Sequence, residues 1–422
     1  MKADYSIIWA NGNLSTKSSH VNAPYHFIHV GEVIDYLNKH LDSDVDLYDI
    51  EAEQMEFDKV IYKIIHNDYK AIAFYINTDN LQNTLYLHKL VKNIFPDCQT
   101  IAYGEMPLFL PEFFASTDFN ALISNGCDQE VAILDFFEYA VHKKHAKQLR
   151  GVILVTDHQL HISSPGICLE PNEWGLTDID KVPIKDYFRM SQKEQIVITL
   201  ARGCPYSCAF CNATLYYGKQ VRMRNPYAVI DYINHFDYTY YKFFAPNLTF
   251  NENYVFKLTK LLIQNKNKIK WSCTTRVDLL HNEELIHLMA ESGCYKIAVG
   301  VESVVSDDLN RIKSGYDATV VDAGISLLNK YGIEYKALIM LGIPGQTKEN
   351  IKMTLDFLSE RHVTIRPTAY TPFQELTSNM SVEEITAYDK RTYYNGVCGL
   401  TYADFIKLIY DTQHYTQVFT DT

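Results

Sequence analysis

Cys204, Cys208 and Cys211 stand in the run C-P-Y-S-C-A-F-C, three thiols within eight residues. An odd number of cysteines on so tight a loop does not pair off into disulfides, which hold their Cα atoms roughly 4.4–6.8 Å apart. A structural zinc ion takes four ligands, usually as two close pairs. No further Cys or His occurs between positions 212 and 231. Thiolates also hold iron–sulfur clusters, and four of them fill a four-iron cube. Three leave one iron open, so the spacing C-x3-C-x2-C reads as a site where a cluster does chemistry.

With Phe210 just before the last cysteine and Arg202-Gly203 before the first, this run resembles the signature of the radical S-adenosylmethionine (SAM) enzymes. The resemblance implies a [4Fe-4S] cluster held by Cys204, Cys208 and Cys211. The open iron takes SAM, and one electron cleaves it to a 5'-deoxyadenosyl radical. Later segments extend the match. Ala245–Asn251 replaces the family's Asp with Ala245 or Pro246 and leaves Asn247 as a cofactor contact. Trp271–Asp278 resembles w-x-x-x-x-R-x-d, with Arg276 placed to pair the SAM carboxylate bidentately, as Lys could not do so well. Ile297–Ser303 resembles G-x-E-S, so Gly300, Glu302 and Ser303 are SAM contacts by resemblance. Gly342-Ile343-Pro344-Gly345-Gln346-Thr347 resembles G-x-P-G-E-T, whose glycines would let backbone lie along adenine. Thr368–Phe373 departs from the family's f-T-P-y-P-G-T after Pro372, on the side expected to face substrate. Arg222 and Arg224 read either as stabilisers of cluster or substrate charge or as a solvated basic face.

These residues need a scaffold, and the patterning supplies one. From Ile196 onward, apolar strands alternate with helices in units of about thirty residues, the signature of a parallel β/α sheet. Gly293 and Gly332 follow two of the helices as stop signals, and Thr347 stands as an N-cap. A cysteine loop just beyond a strand's carboxyl end lies at the catalytic mouth of such a barrel. Upstream, Tyr5–Trp9, Val45–Tyr48, Ala71–Ile76, Thr100–Tyr103 and Ala121–Ile123 read as strands between amphipathic helices at 24–40, 57–66 and 81–94. That alternation predicts a doubly wound parallel sheet with ligands beyond the strands' carboxyl ends.

The N-terminal order also resembles the cobalamin-binding domain that precedes many radical SAM barrels. Asp49–Glu53, Asn77-Thr78, Pro96-Asp97-Cys98, Tyr103–Pro107 and Asn125–Glu130 occupy its loop positions. By that resemblance Asn77, Thr78, Gly104 and Gly126 contact cobalamin. There is no D-x-H-x-x-G, so no lower histidine ligand to cobalt is offered, and the family's Gly-Gly loop is reduced to Gly104-Glu105. His26, His29 and His66 read as surface or helix histidines.

The expected fold is α/β: a Rossmann-like domain over 1–140, a linker over 141–190 containing a hairpin around Asp157-His158, a partial (β/α)6 radical SAM barrel over 191–375, and a C-terminal substrate-side extension over 376–422 with Cys398 as a spare structural thiol. The 422 residues are 47% hydrophobic, enough for well-filled cores. A net charge of -12 disfavours non-specific nucleic-acid binding. No apolar run reaches membrane-span length and no secretory signal opens the chain, so a cytoplasmic setting is expected, as are nine cysteines without a paired framework. The expected activity is cobalamin-dependent methylation of an unactivated carbon or phosphorus in a small molecule or peptide, with an external electron donor such as flavodoxin or ferredoxin. The alternative is a radical cyclisation, rearrangement or group transfer beside a non-cobalamin binding module.

Overall fold

The computed structural model describes residues 3–12, 23–126, 128–236, 238–266, 268–312, 315–396 and 399–415. Cys127 and Cys398 lie outside them. The chain divides into two compact units, one of residues 1–198, 212–222 and 374–386, the other of 199–211, 223–373 and 387–422.

The first unit is built on seven strands: β1 (Tyr5–Trp9), β2 (Val45–Asp49), β3 (Ala71–Ile76), β4 (Gln99–Gly104), β5 (Ala121–Ile123), β6 (Val152–Thr156) and β7 (Gln159–Ile162). Their spatial order is β2-β1-β3-β4-β5-β6-β7. The first five pair in parallel, and β6 and β7 add an antiparallel edge. β1 and β3 are buried along their whole length, because helices cover both faces of a doubly wound sheet. The order 2-1-3-4-5 places the topological switch between β1 and β3.

The expected linker is no linker. Its hairpin is β6–β7, turning through Asp157 and His158, both at positive φ as a tight two-residue hairpin loop requires. Residues 174–177 pack on the helical stretch 23–40, whose middle, Phe27–Glu32, is π-helical. There Thr177 Oγ1 donates to the Phe27 carbonyl at 3.0 Å, and a Cβ on Gly175 would fall 1.9 Å from the Glu32 carbonyl oxygen. The helix Ile184–Ser191 then sends Tyr187 into the same core. Between β7 and this helix the chain forms no helix or strand, so no periodicity in the sequence marks the attachment of residues 174–177. The expected C-terminal extension also divides, 374–386 belonging to the first unit.

The remaining strands are β8 (Gln195–Thr199), β9 (Ala201–Arg202), β10 (Arg222–Met223), β11 (Tyr240–Phe244), β12 (Lys270–Arg276), β13 (Cys294–Glu302), β14 (Glu334–Leu341) and β15 (Thr364–Ala369). β9 and β10 form a small separate sheet, and the six-stranded sheet runs β15-β14-β13-β12-β11-β8. The second unit begins at Thr199. From β11 to β15 every pair is parallel and every strand lies beside its predecessor. Right-handed crossovers between sequential neighbours put all connecting helices on one face and leave the other as the inside of a partial barrel. Side chains cap the starts of those helices: Asn251, Asn282, Asp317 and Thr347 each accept from a backbone N–H of the first turn. Odd-numbered residues of β12 such as Trp271 and Cys273 are buried against the helices, and Ser272 and Thr274 face inward.

Candidate active site

The cysteine loop leaves β9 through Gly203, which sits at φ 90. Cys204 is buried, Cys208 half-buried and Cys211 exposed. The Cys211 N–H donates to the Cys208 carbonyl at 3.1 Å, closing a turn that brings the last two thiols to one end of the loop. The Asn247 amide donates to Cys204 Sγ at 3.4 Å, and Arg276 Nη1 donates to Cys208 Sγ at 3.5 Å. N–H groups aimed at ligand sulfurs are the outer contacts that tune an iron–sulfur centre. Burial pushes both thiols up, Cys208 to about 11 against the pull of Arg276. The donor set therefore fits a cluster held on three thiolates. Among the described residues no three His, Cys, Asp or Glu side chains close on a single-ion site.

Arg276 is held from several sides. Its Nε and Nη2 bond the two carboxylate oxygens of Asp278 at 2.9 and 3.0 Å. Its guanidinium lies 4.1 Å from the Tyr206 ring centre and 5.3 Å from that of Tyr316. The Tyr316 hydroxyl in turn donates to the Val301 carbonyl at 3.0 Å. This corrects the expectation for Arg276: its planar fork is already engaged bidentately by Asp278, leaving Nη1 toward the cysteine loop. Tyr206 and Tyr316 were not singled out in the sequence. Tyr206 lies inside the cysteine run and could have been, whereas nothing local marks Tyr316.

Glu302, at φ 59, is a non-glycine residue in the left-handed region, a strain that persists where the surroundings hold it. A Cβ on Gly300 would meet Glu302 Oε1 at 3.0 Å, so the glycine makes room for this carboxyl. Burial pushes Glu302 up to about 8, with Arg276 opposing. The Glu302 side chain stays half-buried at the inner carboxyl end of β13.

Other expected SAM contacts are spent on the protein itself. Ser303 is fully buried, donating to Asp308 Oδ2 at 3.1 Å and accepting from the Val305 N–H at 3.1 Å. The Gly342 N–H goes to Gln346 Oε1 at 2.8 Å, and its carbonyl accepts from Asn395 at 3.0 Å. The Gly345 carbonyl accepts from Arg311 at 3.0 Å. Ile343 and Phe210 join one apolar cluster with Leu309, Ile312 and Met340. Arg224 donates to the Thr199 carbonyl at 2.9 Å and Arg222 forms a fork on Asp128 at 2.6 and 3.0 Å, so both are structural rather than solvated.

In the first unit, the carboxyl ends of β1–β3 carry a closed polar cluster. Asp49 Oδ2 meets His26 Nδ1 at 2.6 Å and the Tyr187 hydroxyl at 2.8 Å, while Oδ1 accepts from the Ala52 N–H at 3.0 Å. Glu51 accepts from Trp9 Nε1 at 2.8 Å and lies 3.7 Å from His26 Nε2. Trp9 stacks on both His26 and Tyr75, each at 3.9 Å. Burial lowers the His26 pKa, but Asp49 and then Glu51 outweigh it, and the net shift is upward. His26 and His29 lie on helical turns, as expected, but buried rather than at the surface, while His66 is exposed and bonded to the Tyr62 carbonyl.

The expected cobalamin contacts fare unevenly. Asn77 and Asn80 exchange side-chain-to-backbone bonds at 2.9 Å, an internal turn lock. A Cβ on Gly104 would lie 2.7 Å from the Ile76 carbonyl, so this glycine serves strand approach. Thr78 is buried, while Gly126 faces open space. His26 Nδ1 is committed to Asp49 and its Nε2 faces Glu51, so this histidine is not offered to cobalt. With no D-x-H-x-x-G in the sequence, the described residues fit a corrinoid held without a protein base.

Residues 198–358 match the family model of the radical SAM superfamily. The segment that folds as the barrel and carries the cysteine loop is therefore a radical SAM domain, which implies a [4Fe-4S] cluster and SAM. The chain is 23% identical over 331 residues to an uncharacterized methyltransferase of Pyrococcus horikoshii, covering 74% of this chain and 69% of that protein. It is 24% identical over 230 residues to the anaerobic magnesium-protoporphyrin IX monomethyl ester cyclase of Rubrivivax gelatinosus, covering 51% of this chain and 40% of the cyclase. It thus spans less than half of the cyclase's length. Among solved structures, it is similar in fold to the radical SAM methyltransferase TsrM of Kitasatospora setae with cobalamin and a [4Fe-4S] cluster bound, at TM-score 0.69 and 13% identity, covering 88% of this chain and 74% of that one. The shared fold includes the N-terminal sheet as well as the barrel.

Proposed function

We propose that this protein is a cobalamin-dependent radical SAM methyltransferase acting on an unactivated carbon or phosphorus of a small molecule or peptide, with a flavodoxin or ferredoxin as electron donor. The observation that carries the reading is the loop of Cys204, Cys208 and Cys211, held by Asn247 and Arg276 within a radical SAM domain. The methyltransferase name of the Pyrococcus relative and the fold shared with TsrM support the transfer of methyl rather than another outcome. When bound, the cluster and SAM supply one-electron chemistry that no side chain can provide. The chain's part is to orient and to exclude water. Arg276 fixes the Cys208 sulfur, Asp278 and two tyrosines fix Arg276, and Glu302 holds a carboxyl whose proton is retained near neutrality at the inner mouth of β13. Similarity to the cyclase supports a second reading, radical cyclisation.

Anaerobic reconstitution with iron, sulfide and hydroxocobalamin tests both. Corrinoid absorbance retained after desalting and a product heavier by one methylene unit support methyl transfer. Loss of all corrinoid on desalting refutes the cobalamin part, and a product lighter by two hydrogens indicates cyclisation. Cys208→Ala abolishes 5'-deoxyadenosine formation, and undiminished SAM cleavage in that variant refutes the ligand assignment.

A further inference from the structure

The inner face of the barrel sheet carries cations where parallel-strand register brings them together. Lys242 on β11 pairs across to Ser272 on β12, and Ser272 to Lys296 on β13. One step along, Ala298 on β13 pairs with Lys336 on β14, and Leu338 with Arg366 on β15. In each strand the flanking residues, such as Tyr241, Phe243, Trp271, Ile297, Ala337 and Ile365, are buried on the helix side, so the four cations share the opposite face, with Arg366 exposed at its edge. Lys296 has Glu334 at 3.8 Å. Among the described residues neither the Lys242 nor the Lys336 ammonium makes a hydrogen bond or ion pair. Lys242 is half-buried by exposure but crowded by protein. Burial, and then Arg366, push it down to about 8, and Lys336 shifts down for the same reasons, with Lys296 adding to the repulsion. Two ammonium groups without such a partner, set beside further positive charge, are costly in a fold unless an anion joins them.

Above this layer the inward residues Phe244, Thr274, Ala298, Leu338 and Thr368 all remain half-buried rather than sealed, a stripe leading toward Arg276 and Glu302. Ser272 precedes Arg276 by four residues, about 13 Å along the strand at ~3.3 Å per residue.

We propose that Lys242, Lys336 and Arg366 form an anion-binding site inside the barrel sheet that takes the carboxylate or phosphate of an elongated small-molecule ligand. The site goes beyond the proposed reaction and does not depend on it. Reconstituted full-length protein is titrated with inorganic phosphate, and separately with succinate, against chloride at equal ionic strength, reading thermal stability. The expected result is a stabilisation by at least one of the two that is weakened about tenfold or more in Lys242→Met and in Lys336→Met, the loss of one charge-assisted hydrogen bond. Phosphate acting alone identifies a phosphate ligand, and succinate alone a carboxylate. In chloride both variants are at least as stable as the wild type, because each removes an unpaired ammonium; a residue with only a structural role does not give that sign. Unchanged stabilisation in both variants, or none by either anion in the wild type, overturns the site. Where a variant fails to fold, reductive methylation of the unaltered protein serves: phosphate or succinate protects Lys242 and Lys336, and equal labelling with and without both anions overturns the site.

Discussion

Replacing Asp49 by Asn tests whether the buried cluster at the carboxyl ends of β1–β3 is a charged structural lock. Asp49 is fully buried and accepts from His26, Tyr187 and the Ala52 N–H at 2.6, 2.8 and 3.0 Å. Asn keeps the bond to the backbone but turns an NH2 group toward two donors. The tyrosine can rotate its hydroxyl to accept and the histidine can change tautomer, so neutral bonds worth about 0.5–1.5 kcal/mol replace charge-assisted ones worth about 1.5–3. The difference at two bonds is about 2–3 kcal/mol, at the lower edge of the roughly 3–5 found when one partner of a buried pair is removed. In a unit of this size each kcal/mol moves the melting temperature by about 2–4 °C. Because the folded His26 pKa lies above its unfolded value of 6.5, its stabilisation is fully present below pH 6.5 and fades as pH rises through the folded value. The deficit of the Asn variant is therefore largest near pH 6 and narrows toward pH 9. Trp9, stacked on His26, reports the event by fluorescence during calorimetric or denaturant unfolding. A deficit under about 1 kcal/mol at pH 6, or the same deficit at pH 6 and 9, would refute a charged lock.

Glu302→Gln removes a carboxyl whose folded pKa, about 8, lies above its ordinary 4.5. The folded wild type keeps a proton that the unfolded chain loses, so its stability declines from pH 5 to 8. The Gln variant shows a flatter profile and is the more stable of the two above pH 8; equal melting curves at both ends count against the assignment. Gly175→Ala drives a Cβ to within 1.9 Å of the Glu32 carbonyl. It destabilises the first unit by about 1–3 kcal/mol, as overpacking does, read as a lower melting temperature, and an unshifted melt contradicts the close packing. Arg276→Lys loses the bidentate bond to Asp278 and the stacking on two tyrosines. It slows 5'-deoxyadenosine formation about tenfold or more, from roughly 2 kcal/mol of lost positioning, and Arg-like rates from the Lys variant dispose of that role.

The chemistry of the chain was legible because its signals are local. Three cysteines on one short loop, a glycine before them and helix caps such as Thr347 report their function through neighbours a few residues away. Strand and helix positions were legible for the same reason, and the tight turn at Asp157-His158 announced its hairpin. What the local signals could not carry was partnership. Gly104 and Asn77 read as ligand contacts, yet they serve strand approach and a turn lock, because a glycine or an Asn looks the same in sequence whichever it does. Ser303 and Gly342 matched a family pattern, but their hydrogen-bonding groups are committed to Asp308, Gln346 and Asn395.

By itself, then, the sequence determined the kind of cofactor and the alternation of elements, since spacing along the chain controls both. Tertiary structure alone decided the rest. It joined Asp49 to Tyr187 across 138 positions and folded the supposed linker into the first sheet. It also set Lys242, Lys336 and Arg366, far apart along the chain, on one inner face. Such contacts depend on strand register and packing, and register is fixed only when the burial of every strand is satisfied together.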